Sequence, residues 1–136
     1  MTQELKLTIL GIPVAKGRPR MISRGHVYTP AKTAEYENRV AEVALKAKVR
    51  FERDVPLEME VSFVYPRPKK LPKNRSNYFV TPKPDMSNLI KAIEDGMEKG
   101  GVYHDDAQIV TVIALKRYGD PPRAEVTLKI AEEVER

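Results

Sequence analysis

No cysteine occurs among the 136 residues, which excludes a disulfide framework, a thiolate metal site and a cysteine nucleophile. Histidine is almost as scarce: His26 and His104 are the two present, and no second histidine stands at the helical spacing of a zinc site. Any metal must therefore be held by oxygen or imidazole. No apolar run approaches the roughly 20 residues that a membrane-spanning helix needs. The opening MTQELKLTILG lacks the basic start, long apolar stretch and small-residue cleavage site of a secretory signal, so a soluble, cytoplasmic protein without a membrane partner is expected. The glycines form neither a phosphate-binding loop nor a dinucleotide fingerprint, and no Gly-x-Ser-x-Gly elbow is present. A nucleotide cofactor is not expected.

What is abundant is charge of one sign in particular places. The formal net charge is +5, and eleven of the 24 basic residues fall in two stretches that contain no acid. One spans residues 12–32 and carries Lys16, Arg18, Arg20, Arg24 and Lys32; the other spans residues 66–84 and carries Arg67, Lys69, Lys70, Lys73, Arg75 and Lys83. Acid-free basic blocks suit a polyanion, because lysine and arginine contacts to phosphate release counterions whatever the base sequence. The plainer alternative is a pair of solvated loops that aid solubility.

Hydrophobic residues make up 41% of a chain long enough for one core and too short for two ordinary domains, so residues 1–136 read as a single domain. Leu5, Leu7 and Ile9 alternate with polar residues, as in a half-buried strand. A helix is expected from Thr29 and Pro30 to about Arg50, on the spacing of Tyr36, Val40, Val43, Ala44 and Ala47. Residues 57–65 alternate again, with Leu57, Met59, Val61, Phe63 and Tyr65 on one face. Five prolines between Pro66 and Pro84 argue against regular structure there and suit a segment partly disordered without a ligand. A second helix is expected from Met86 to Lys99, stopped by Gly100 and Gly101. Residues 109–116 are apolar on both faces, the signature of a central strand, and residues 124–130 alternate once more after a turn at Gly119, Asp120, Pro121 and Pro122. The order is β-α-β-α-β-β. Three strands have one polar face, so the expected fold is an α+β two-layer sandwich: a four-stranded mixed sheet with both helices on one face. If the first crossover is parallel, both basic stretches leave the carboxyl edge of the sheet together.

The densest chemistry lies in residues 83–110. Asp85 stands at the mouth of the second helix, where the dipole favours a carboxylate for function or simply for capping. Asp105 and Asp106 lead into the next strand, and an ordinary turn uses such residues too. Magnesium prefers hard oxygen ligands and needs only a few carboxylates beside a positive groove. Lys91, nearly two helical turns beyond Asp85, can reach a scissile phosphate. Tyr28, Tyr65, Tyr78 and Phe79 flank the basic stretches and suit either base stacking or loop anchoring.

These residues carry a resemblance. Asp85-Met86-Ser87-Asn88-Leu89-Ile90-Lys91 followed by Asp105-Asp106-Ala107-Gln108 resembles the RusA family of crossover junction endodeoxyribonucleases, whose pattern is Asp-x-Asp-Asn-Leu-x-Lys and then Asp-Asp-Ala-Gln. Lys16 to Arg20 and the Tyr-Thr-Pro at 28–30 extend the likeness over most of the chain. The resemblance implies a homodimeric, Mg²⁺-dependent nuclease, with Mn²⁺ as a substitute, that cuts four-way (Holliday) DNA junctions symmetrically in recombination and repair. It assigns metal binding to Asp85, position 87 and Asp106, with Asp105 a neighbour able to compensate, and makes Lys91 the catalytic lysine. Lys16, Arg18, Arg20 and Arg24, with the second basic stretch, would contact DNA. Position 87 departs from the pattern: Ser87 stands where an aspartate is expected and removes one negative charge, which leaves open a junction-binding protein with weak or no cutting.

Overall fold

The computed structural model describes residues 3–17, 20–22, 26–28 and 30–133, the two short middle segments by backbone alone. A four-stranded sheet is formed by β1 (Glu4–Leu10), β4 (Leu57–Tyr65), β5 (Ile109–Tyr118) and β6 (Arg123–Ile130), in the spatial order β1-β6-β4-β5. Between β1 and helix α1 (Ala31–Ala47) lies a small antiparallel hairpin, β2 (Arg20–Ile22) with β3 (His26–Tyr28); helix α2 (Met86–Lys99) joins β4 to β5. The expected order and α+β class are observed. The hairpin was not expected, because nothing between the first strand and the first helix alternates over more than three residues.

β6 runs antiparallel to both β1 and β4, and β4 runs parallel to β5. β1 and β4 are therefore parallel without being neighbours, since β6 is inserted between them. Their carboxyl ends, Leu10 and Tyr65, lie at one edge of the sheet, so the two basic stretches do start from the same side.

One face of the sheet is covered. Leu5, Leu7 and Ile9 of β1, Met59, Val61 and Phe63 of β4, and Ala124, Val126 and Leu128 of β6 pack against Tyr36, Val40 and Ala44 of α1 and Leu89, Ile93 and Met97 of α2. Burying a large aliphatic side chain contributes roughly 1.5–3 kcal/mol, and this cluster accounts for both helices being amphipathic. The two helices approach closely at Gly96: a Cβ there would lie 2.5 Å from Cβ of Val40, so a larger residue would push α1 away. α1 ends at Ala47, three residues before the expected Arg50, because Lys48 turns left-handed at φ 58°. Arg50 serves α2 instead, donating from Nη1 to the carbonyls of Gly100 (3.2 Å) and Gly101 (2.6 Å), which α2 itself leaves unpaired. Gly101 takes φ 76°, which a side chain would resist.

One expectation is corrected. β5, read as a central strand, is at the edge of the sheet, with Val110, Val112 and Ile113 exposed. Its run of apolar residues on both faces signals something other than burial between neighbouring strands.

Candidate active site

α2 organises the site. Its exposed side presents Lys91, Asp95 and Glu98, an i, i+4, i+7 stripe, and the turn before β5 brings Asp105 and Asp106 up against it. Lys91 Nζ donates to Asp106 Oδ2 at 2.6 Å and lies 3.3 Å from Asp95 Oδ1. Asp106 is held from its backbone too, its N–H donating to Glu98 Oε1 at 2.9 Å. Carboxylate oxygens of Glu98, Asp105 and Asp106 lie within 4.8 Å of one another, an arrangement able to hold a metal ion.

Asp105 has a structural duty as well. Its Oδ1 accepts from the Ala107 N–H at 2.9 Å, and Gln108 Oε1 accepts in return from the Asp105 N–H at 3.2 Å, a reciprocal cap on the short 3₁₀ turn Asp106–Gln108. Gln108 is itself buried and ties this turn to the carbonyls of Glu52 and Val55. The turn is thus fixed to the body of the protein, and Asp106 with it. His104 is exposed, and its backbone N–H donates to Gln108 Oε1.

Asp85 occupies the N-cap of α2, yet its side chain makes no capping bond, so its exposed carboxylate is not consumed by the helix. Ser87, two residues on, is exposed. Neither belongs to the Glu98, Asp105 and Asp106 cluster. Asp85 and Lys91 are six residues apart, about 9 Å at ordinary helical rise.

Charge continues inward from Lys91. Asp95 also accepts a short hydrogen bond from Lys16 Nζ, which lies 3.3 Å from Oε2 of the buried Glu37; Lys99 closes the chain at 3.5 Å from Glu37 Oε1. The Lys16 backbone N–H donates to the Asn88 carbonyl at 2.9 Å, laying the first basic stretch along the start of α2. The hydrogen bond to Asp106, aided by the one to Asp95, raises the Lys91 ammonium well above the usual lysine range, and that to Asp95, aided by Glu37, raises Lys16. Glu94, on the same helix, is raised by burial first and by the charge of Asp106 second.

The chain belongs to the RusA family of endodeoxyribonucleases. The model of that family, described as endodeoxyribonuclease RusA, matches residues 11–129. A crossover junction endodeoxyribonuclease rusA of Lactococcus phage r1t is 32% identical over 113 residues, covering 83% of this chain and 84% of its own. The uncharacterized protein YqaN of Bacillus subtilis (strain 168) is also 32% identical, covering 92% of this chain and 95% of its own. Of the residues that carried the resemblance, Lys91 of α2 and Asp106 of the following turn meet in a hydrogen bond, while Asp85 and Ser87 stand at the start of α2.

The other residues named from the sequence divide into three groups. Arg67, Lys69, Lys70, Lys73, Arg75 and Lys83 are exposed, and none is in an ion pair among the described residues. Lys16, by contrast, is engaged with Glu37 and Asp95. Arg18 and Arg24 lie outside the described residues, and Arg20, His26 and Tyr28 are described by backbone alone. Tyr65 anchors a loop, donating to the Pro13 carbonyl at 3.1 Å, while Tyr78 and Phe79 are exposed and pack edge to face, ring centres 4.8 Å apart. Asp95 and Glu98 were overlooked in the sequence. Their spacing from Lys91 was the available signal, since residues four and seven apart share a helix face.

No helix of the described residues is long and apolar enough to cross a membrane.

Proposed function

We propose that this chain is a homodimeric, Mg²⁺-dependent endonuclease that resolves four-way (Holliday) DNA junctions by symmetric phosphodiester hydrolysis, serving recombination and repair in the cytoplasm. The observation that carries this reading is the hydrogen bond between Lys91 and Asp106 beside the carboxylates of Glu98 and Asp105, on the motif residues of an endodeoxyribonuclease family.

The donor set suits the ion. Its atoms are carboxylate oxygens at the surface, the environment that hard cations such as Mg²⁺ or Mn²⁺ prefer, and one that leaves room for water and phosphate. Asp106 would be the principal ligand, with Asp105 and Glu98 at hand; Asp85, Ser87 and the Asp106 carboxylate are the metal positions implied by the family pattern. A bound Mg²⁺ supplies water of lowered pKa and neutralises charge on the phosphate.

The chain's own residues do the rest. Lys91, positioned by Asp106 and Asp95, offers a fixed positive charge to the phosphate as negative charge develops on it. Arg67, Lys69, Lys70, Lys73, Arg75 and Lys83 bind the backbones of the junction arms, being exposed and in no ion pair among the described residues. Tyr78 and Phe79 offer aromatic faces to bases unstacked near the junction centre. A two-fold dimer matches a substrate with two equivalent strands to cut.

A second reading has its own support. Ser87 replaces an expected aspartate, and Asp105, the substitute considered for it, already spends one oxygen on the cap of its turn. A binding protein with impaired cutting would look the same in fold. A synthetic four-way junction incubated with protein and Mg²⁺ separates the two: paired symmetric nicks support the nuclease, nicking by Ser87→Asp alone identifies an impaired member, and no nicking by either discards the hydrolytic reading.

A further inference from the structure

Lys116 is a cation on the covered face of the sheet. In the parallel register of β4 and β5 it stands beside Phe63, which is fully buried, so it shares the face on which the helices pack. It is half-buried and has no carboxylate partner among the described residues. A charge so placed is costly unless hydrogen bonds replace its water. They come from a segment more than thirty residues back along the chain: Lys116 Nζ donates to the Pro82 carbonyl at 3.0 Å and to the Pro84 carbonyl at 2.9 Å. Lysine suits the task, because its stem lies along apolar neighbours while its ammonium offers several donors.

The two carbonyls bracket Lys83, and the second belongs to the residue immediately before Asp85. On its other side Asp85 is held by α2, its carbonyl accepting from the Leu89 N–H at 3.2 Å. Asp85 thus stands between a clamp and a helix. The clamp works with two further ties to β5. The Val80 N–H donates to the Lys116 carbonyl at 3.1 Å and the Tyr118 N–H to the Tyr78 carbonyl at 2.8 Å, and the Val80 side chain is buried. Residues 78–84 are therefore strapped down, whereas among the described residues no hydrogen bond ties residues 66–77 to β5.

We infer that Lys116 is a positioning residue for the proposed reaction: by drawing the Pro82 and Pro84 carbonyls onto the end of β5, it fixes where Asp85 enters the site. The Asp85 side chain makes no capping bond, so the helix alone does not fix its carboxylate. A ligand that must meet a metal ion in one geometry gains from being held there in advance. In this role Lys116 touches neither metal nor phosphate. Its loss should slow cutting without loosening the grip on DNA, which the exposed cations of residues 67–83 supply. The inference rests on the functional reading above for the part that Asp85 plays.

Because the chain has no cysteine, the ammonium can be removed and restored at this one position. Lys116→Cys takes it away, and alkylation with 2-bromoethylamine returns one on a side chain of the same length. The cysteine form is expected to keep the circular dichroism spectrum and to bind a synthetic four-way junction within about threefold of the parent. Single-turnover cleavage with Mg²⁺ at saturating protein should be slower by roughly tenfold or more. Amide exchange at Val80 and Leu89 should be faster by roughly tenfold, and alkylation should reverse both changes. Cleavage at the parent rate overturns the inference, and so does a slowed rate or a faster exchange that alkylation leaves unchanged. Should Lys116→Cys lose the native spectrum, Lys116→Met, apolar on a covered face, supplies the same measurements, with Lys116→Arg expected to keep both values near those of the parent. If the parent itself cuts no junction, the hydrolytic reading fails, and exchange in the same samples still decides whether Lys116 holds the segment before Asp85.

Discussion

Lysines of two kinds border the site, and the contrast between them separates chemistry from binding. Lys16 and Lys91 are each locked to carboxylates on α1, α2 or the turn before β5, whereas the cations of residues 66–84 are exposed and carry no partner among the described residues. By sequence, Lys16 looked like a member of the second class. A held ammonium sits at one point and can act on one phosphate; a free one adapts to the backbone of many. Density of basic residues therefore says little about which of them are available to DNA.

The largest effect that sharpens this contrast is expected from Lys91→Ala. Loss of a fixed charge aimed at a reacting phosphate should slow junction cleavage by about 10²- to 10³-fold, while gel-shift affinity stays within a fewfold of the parent. Equal loss of binding and cutting would place Lys91 with the free cations. Lys16→Met comes next. It leaves the buried Glu37 with Lys99 as its remaining ion-pair partner among the described residues, and because Lys16 is partly exposed we expect about 1–2 kcal/mol of destabilisation in urea titration; a change near zero would mean that the network is solvated like the surface loop.

Lys69→Gln with Lys70→Gln should leave stability within about 0.5 kcal/mol and weaken junction binding evenly across sequences. The logarithmic salt dependence should become shallower by roughly 0.9 for each phosphate that is no longer neutralised. The smallest effect concerns pH. Lys16 and Lys91 are both raised above the ordinary 10.5, so the folded state holds their protons more tightly than the unfolded chain. Their stabilisation is complete below pH 10.5 and is lost only as the pH climbs through the raised values. Urea midpoints should carry the full contribution of this network, without pH dependence from it, between pH 7 and 9, and should drop above pH 10.5 by an amount that is smaller in Lys16→Met.

Legibility followed the range of the interaction. α2 was readable to its ends, Met86 to Lys99, because Leu89, Ile93 and Met97 repeat at helical spacing and two glycines stop it. The place of β5 was not readable, because an apolar run looks the same whether it is buried between strands or stands at the edge of the sheet. At the site, Asp85, Lys91, Asp105 and Asp106 stood out as motif residues, yet their relations did not. Asp105 turned out to cap its own turn, and Asp95 and Glu98, which frame Lys91 and Asp106, were overlooked.

The order of the four sheet strands and two helices, the covered face of the sheet and the family could all be read along the chain, since these depend on periodicity and on motifs carried by neighbouring residues. That Lys16 is tied to Glu37 and Asp95, that Lys91 meets Asp106, and that β5 stands at the edge of the sheet came from the three-dimensional arrangement. Those outcomes depend on how segments distant along the chain are brought together by packing α1 and α2 on one face of the sheet, and no local pattern encodes that placement.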